Sequence, residues 1–184
     1  MRLNLKNLTG SRSGAYAARF ISILSGKGGV GKSVLAFNLA ERIAVLGHRV
    51  LLVDADISVG NAHILANVGN ETGLHQLLSE ELVLSEAVTS VSDRLDLLAA
   101  PSAVATEDIY KMSSGAGLVR SLRAQSGAYD VVLIDHMSGV SRFATAIAHG
   151  SDVVLIVLIP ELTSIADAYG LYKYLLQPDS STDI

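Results

Sequence analysis

Apolar residues in this chain fall into short continuous runs separated by stretches with helical spacing. Residues 20–24, 49–53, 95–99, 130–134 and 153–159 are strand-length runs rich in Val, Ile and Leu. Between them, residues 33–46 place Leu35, Leu39, Ile43 and Leu46 at helical spacing, with Gly47 as a stop. Residues 74–78 and 85–91 predict short helices, and residues 116–124, 141–148 and 164–176 predict three more. Pro101 and Pro160 close the runs before them. Residues 57–92 carry the weakest pattern. The strand–helix alternation predicts an α/β fold, a doubly wound and mostly parallel sheet. Strands that are apolar throughout suit a sheet covered on both faces. Residues 1–18 read as a short arm, residues 19–184 as one domain, and residues 177–184 as loop.

Composition agrees with such a core. The chain has 184 residues, 49% hydrophobic and 17% charged, enough for one domain. No run reaches the ~18 apolar residues of a spanning helix. The first residues contain Arg2, Lys6 and Arg12 without an apolar segment, which argues against a secretory signal and for a cytoplasmic location. With no cysteine, disulfides and thiolate metal sites are excluded. A net charge of −4 gives no general attraction to DNA. Tryptophan is absent and aromatics make up only 5%, which disfavours base-stacking platforms.

The chemistry gathers at strand ends. Residues 26–33 read Gly-Lys-Gly-Gly-Val-Gly-Lys-Ser, a match to G-x-x-x-x-G-K-[ST] between a predicted strand and a predicted helix. Gly26, Gly28, Gly29 and Gly31 let backbone wrap closely around an anion. The N–H groups of Gly26, Gly28, Gly29, Val30, Gly31, Lys32, Ser33 and Val34 would form the nest, aided by the helix N-terminus. Lys32 can reach β- and γ-phosphates, and Ser33 can ligate Mg²⁺. Asp54 and Asp56 follow the second strand, and Asp135 ends the strand at 130–134. Carboxylates on that rim would repel a triphosphate unless Mg²⁺ or water intervenes.

Lys27, one of only five lysines, is not required by a standard P-loop. The stretch Lys-Gly-Gly-Val-Gly-Lys-Ser resembles the deviant Walker A motif of the MinD/ParA superfamily, P-loop NTPases of SIMIBI type. The resemblance implies ATP and Mg²⁺ as ligands and a homodimer formed with ATP. In it Lys27 would cross the interface to stabilise charge on the partner's phosphates. It also implies Asp56 as the residue orienting the attacking water, with Asp56, Ser33 and Asp135 around the metal. Residues 54–61 then resemble the family's switch I, with Asn61 a candidate switch contact and Asp54 a structural or outer-sphere group, and residues 135–139 resemble its switch II, with Gly139 a γ-phosphate sensor. After Asp135 the family commonly has small residues, whereas this chain has His136-Met137-Ser138. His136 is a candidate pH-sensitive contact or a packed residue.

Residues 160–169, Pro-Glu-Leu-Thr-Ser-Ile-Ala-Asp-Ala-Tyr, resemble the FlhG branch, which sets flagellar number and placement, and Ser164 or Thr163 is placed to cap the following helix. The implied output is a protein effector or regulator gained or lost with nucleotide. The family's next strand, its base-contacting Asn-Arg pair and its amphipathic membrane helix would follow Ile184. The chain is therefore expected to be truncated relative to the family, with membrane contact only through that further segment. Three alternatives use the same loop. A ParA-type partition ATPase would need basic surface that is not visible here. A dethiobiotin-synthetase-like ligase would need a substrate pocket, and a non-hydrolysing nucleotide-binding module would need neither. Nitrogenase-iron-protein relatives are excluded by the absence of cysteine.

Overall fold

The computed structural model describes residues 18–56, 60–100 and 114–177. The predicted arm at 1–18, apart from its last residue, lies outside them. So do Pro101 and the loop-like tail beyond Gln177. Strands β1 (Arg19–Leu24), β2 (Val50–Ala55), β3 (Thr89–Ser92), β4 (Leu95–Leu98), β5 (Val131–His136) and β6 (Val153–Ile156) form one sheet, in the order β3-β4-β2-β5-β1-β6. β1 pairs in parallel with β5 and β6, and β2 with β4 and β5. β3 pairs antiparallel with β4.

Alternate residues of each central strand feed opposite cores, as strand geometry requires. Val132 and Ile134 join Phe20, Leu51 and Val53 on one face. Val131 and Leu133 join Ile21, Ile23, Val50 and Leu52 on the other. Helices α1 (Lys32–Val45) and α2 (Ala62–Ala66) cover the second face. Helices α3 (Leu74–Leu78), α4 (Leu84–Ala87) and α5 (Gly115–Gln125) cover the first. Helix α6 (Arg142–His149) packs with helix α7 (Leu162–Leu175) through Ala144, Ala148 and Leu171 against Leu24. The sheet is thus doubly wound and almost wholly parallel.

Three expectations change. Residues 85–91 are not one helix: α4 ends at Ala87 and Thr89 begins the antiparallel edge strand. The run Thr-Ser-Val-Ser alternates half-buried and exposed, the pattern of an edge strand. The stripe anticipated for α1 is rotated. Lys32, Ala36, Ala40, Ile43 and Ala44 face the sheet, while Leu35 and Leu46 are largely exposed. Small alanines bring the helix axis close to the strands, and Lys32 fixes which face turns inward. Residues 163 and 164 do not cap α7. The Ser164 hydroxyl accepts from the Ile159 N–H at 3.2 Å, and the Thr163 hydroxyl accepts from Lys27.

Candidate nucleotide-binding site

The carboxyl ends of β1, β2 and β5 lie side by side, with Asp54 in register with Asp135. From β1 the chain enters residues 26–31 and turns into α1 at Lys32. Gly29 and Gly31 have φ of 76° and 86°, and a side chain at either would meet nothing within 4 Å. Their value is the left-handed backbone, which turns successive N–H groups to one side. α1 starts without a side-chain cap or an acidic residue in its first turn, so its terminal N–H groups remain directed at the loop. Gly26 is required for a different reason. A Cβ there would lie 2.4 Å from the Asp167 carbonyl carbon and 2.8 Å from the Ala168 nitrogen, so the loop begins pressed against the backbone of α7.

The two lysines have separate environments. Lys32 is 7% exposed and donates to Oδ1 of Asp135 at 2.5 Å, a buried ion pair between the loop and β5. Lys27 is 39% exposed and turns to the start of α7, donating to Glu161 at 3.0 Å and to the Thr163 hydroxyl at 3.2 Å. Ser33 is half-buried at the first turn of α1. Val30 is half-buried, and Val34 is exposed just beyond the loop.

Asp54 is buried and accepts from the Asp56 N–H at 3.1 Å and the Ala62 N–H at 3.0 Å. Burial is the main reason its pKa rises to about 6. The nearby charges of Asp135 and Asp56 add to the rise, and the two N–H donors oppose it. Its place is to hold the turn after β2. Asp56 stands at the edge of the described residues, on the same rim. Residues 57–59 of the expected switch I lie outside them. Asn61 is exposed at the N-terminus of α2 without capping it. Gly139 has φ of 88°, and its N–H donates to the Ser25 carbonyl at 2.9 Å. The segment expected as switch II therefore rests, through Gly139, on the start of the P-loop. A Cβ on Gly28 would touch the Ser138 hydroxyl at 3.4 Å.

His136 is fully buried. Its pKa falls to about 3, first from burial and then from the charge of Lys32, so the ring is neutral at physiological pH. The pH-sensitive role considered for it does not fit this environment.

Could these residues hold a magnesium nucleotide? Among the described residues no group of three or more His, Cys, Asp or Glu side chains could cage a metal. Mg²⁺ is commonly held by one or two protein oxygens together with phosphates. The Ser33 hydroxyl, at the first turn of α1, and the Asp135 carboxylate, paired with Lys32, are oxygen donors of the right kind. The residues fit.

Residues 18–179 match the family model described as an AAA domain. The chain is 32% identical over 174 residues to the flagellum site-determining protein YlxH of Helicobacter pylori, covering 93% of this chain and 58% of that protein. It is 30% identical over 162 residues to the antiactivator FleN of Pseudomonas aeruginosa, covering 87% and 57%. Its fold superposes on the septum site-determining protein MinD of Pyrococcus horikoshii, complexed with Mg-ADP. The TM-score is 0.75 at 28% identity, covering 86% of this chain and 65% of that one. The chain belongs to the MinD/ParA family of deviant Walker A ATPases. It spans less than two thirds of the length of these relatives.

For this MinD/ParA chain, the sequence located the loop and the acidic rim but missed the groups that hold them. Glu161 and Thr163 receive Lys27, yet they stood out only as part of a branch resemblance. Ser22 meets His136, and its signal was legible: a lone polar residue inside the buried strand Phe-Ile-Ser-Ile-Leu. Among the described residues no helix is long and apolar enough to cross a membrane.

Proposed function

We propose that this chain is an ATP-dependent switch of the MinD/FlhG kind. It binds ATP with Mg²⁺, pairs with a second copy while ATP is bound, and hydrolyses ATP slowly to separate. The relatives' names, a flagellum site-determining protein and an antiactivator, favour an output in the placement or number of a cellular structure such as flagella. That output would pass through a protein effector. One observation carries the proposal: the two loop lysines are divided between inside and outside. Lys32 is committed to its own site, while Lys27 stands at the surface, free to reach a neighbouring molecule once it leaves Glu161.

In this reading the loop N–H groups bind the phosphates, and Lys32 moves from Asp135 to the β- and γ-phosphates. Mg²⁺, held by Ser33 and Asp135 beside Asp56, would neutralise charge on the phosphate oxygens. Asp56 orients a water whose oxygen attacks the γ-phosphorus as the bond to the bridging oxygen breaks and ADP leaves. Lys27 of the second copy faces the charge that develops. Gly139 exchanges the Ser25 carbonyl for a γ-phosphate oxygen, which reorganises switch II. The net charge of −4 gives no support to a DNA-partition role.

Light scattering with and without Mg-ATP tests the proposal. An Asp56→Ala variant is expected to bind ATP without turnover and to double its mass only with ATP. Adding Lys27→Ala should weaken that dimer. A variant that binds ATP yet stays monomeric at every protein concentration would refute the switch.

A further inference from the structure

A buried polar chain runs behind the site. The His136 Nε2 lies 2.9 Å from the Ser22 hydroxyl, and Ser22 lies 2.8 Å from the Ser151 hydroxyl. The Ser151 hydroxyl donates to the Ile147 carbonyl at 3.0 Å. Each hydroxyl has one hydrogen. Ser151 spends its hydrogen on Ile147, so Ser22 must donate to Ser151, and His136 must donate to Ser22. The ring therefore carries its proton on Nε2.

The position of this chain matters more than its strength. On the β2 side, pairing of β5 continues to His136, opposite Ala55. On the β1 side the ladder ends at Asp135, opposite Ile23. The His136 side chain thus ties the strand to β1 one residue beyond the last backbone pair, immediately after Asp135. The far end of the chain, Ile147, lies in the last turn of α6, the helix that switch II leads into. Both ends of the segment 136–147 are thereby fastened to β1 through Ser22.

We propose that His136 is a positioning residue for the metal carboxylate: its Nε2–H bond to Ser22 holds the end of β5 so that Asp135 keeps its direction toward Lys32. This rests on the Mg-nucleotide reading above. Groups that orient a metal ligand typically change metal affinity by ~10–100-fold when removed.

The test is titration of a fluorescent ATP analogue at increasing Mg²⁺, and again in EDTA. Three variants are compared: His136→Gln, whose amide nitrogen reaches the position of Nε2, His136→Asn, whose shorter amide mimics Nδ1, and Ser22→Ala. His136→Asn and Ser22→Ala should raise the half-saturating Mg²⁺ concentration by about tenfold. Their affinity in EDTA should stay within about twofold of wild type, and His136→Gln should recover the wild-type Mg²⁺ requirement. The inference is overturned if the variants lose thermal stability but keep the wild-type requirement, or if Gln is as impaired as Asn. A wild-type protein that binds no nucleotide under any condition would refute the function proposed above, and would be visible before any variant is made.

Discussion

Lys32→Met would leave Asp135 inside the rim with no opposite charge. The methionine keeps most of the buried stem, so packing changes little and the ammonium is what is lost. The pair is 2.5 Å apart and its side chains are 7% and 3% exposed, so little water can replace the lysine. Breaking a buried pair from one side typically costs ~3–5 kcal/mol, because the remaining charge is uncompensated. Asp54 increases that cost, since the charge of Asp135 already acts against its ionisation. The expected loss is thus at the upper end, and at ~2–4 °C per kcal/mol for a chain of this size Tm should fall by roughly 8–20 °C. Lys32→Met/Asp135→Asn removes both charges and should recover about half of the loss. The assay is urea unfolding in EDTA without nucleotide, with m-values compared so that a changed denatured state is not mistaken for a changed contact. A loss under about 1 kcal/mol in the single variant, or a double variant no more stable than it, would show that solvent already screens the pair.

Two further outcomes follow from geometry. Gly26→Ala should destabilise by ~1–3 kcal/mol and speed amide exchange around Asp167 and Ala168, since its methyl group meets backbone that cannot step aside. Gly29→Ala, strained in φ but open in space, should leave exchange in α7 unchanged, and equal exchange in the two variants would refute the contact. Tyr129 donates to Asp96 at 2.8 Å, and burial followed by that bond pushes its pKa upward. A raised folded pKa means its contribution is complete below the usual value of ~10 and is lost as pH rises above it. Absorbance at 295 nm should show one of the six tyrosines ionising only as the protein unfolds. Tyr129→Phe should flatten the alkaline stability limb.

The central strands β1, β2 and β5 were legible because each is buried on both faces, so the run itself is the signal. The P-loop was legible because glycine, lysine and serine at fixed spacing serve backbone geometry and charge together. The edge strand Thr89–Ser92 was not, since four half-exposed polar and β-branched residues are decided by their neighbour β4. The face of α1 was misjudged because leucines outweigh alanines in any hydrophobic pattern, while close packing on a sheet favours the smaller residue. The partners of Lys27 and His136 lie more than 110 residues away in sequence, and no local pattern contains them.

The contact between Gly26 and α7 has a mechanical consequence. With no side chain in the seam, there is no soft layer to absorb displacement, and close-packed backbone transmits strain. Lys27 holds the N-terminal end of the same helix. The start of the loop and α7 therefore share one seam, so that a molecule seated on the outer surface of α7 is separated from the phosphate loop by the thickness of a single helix.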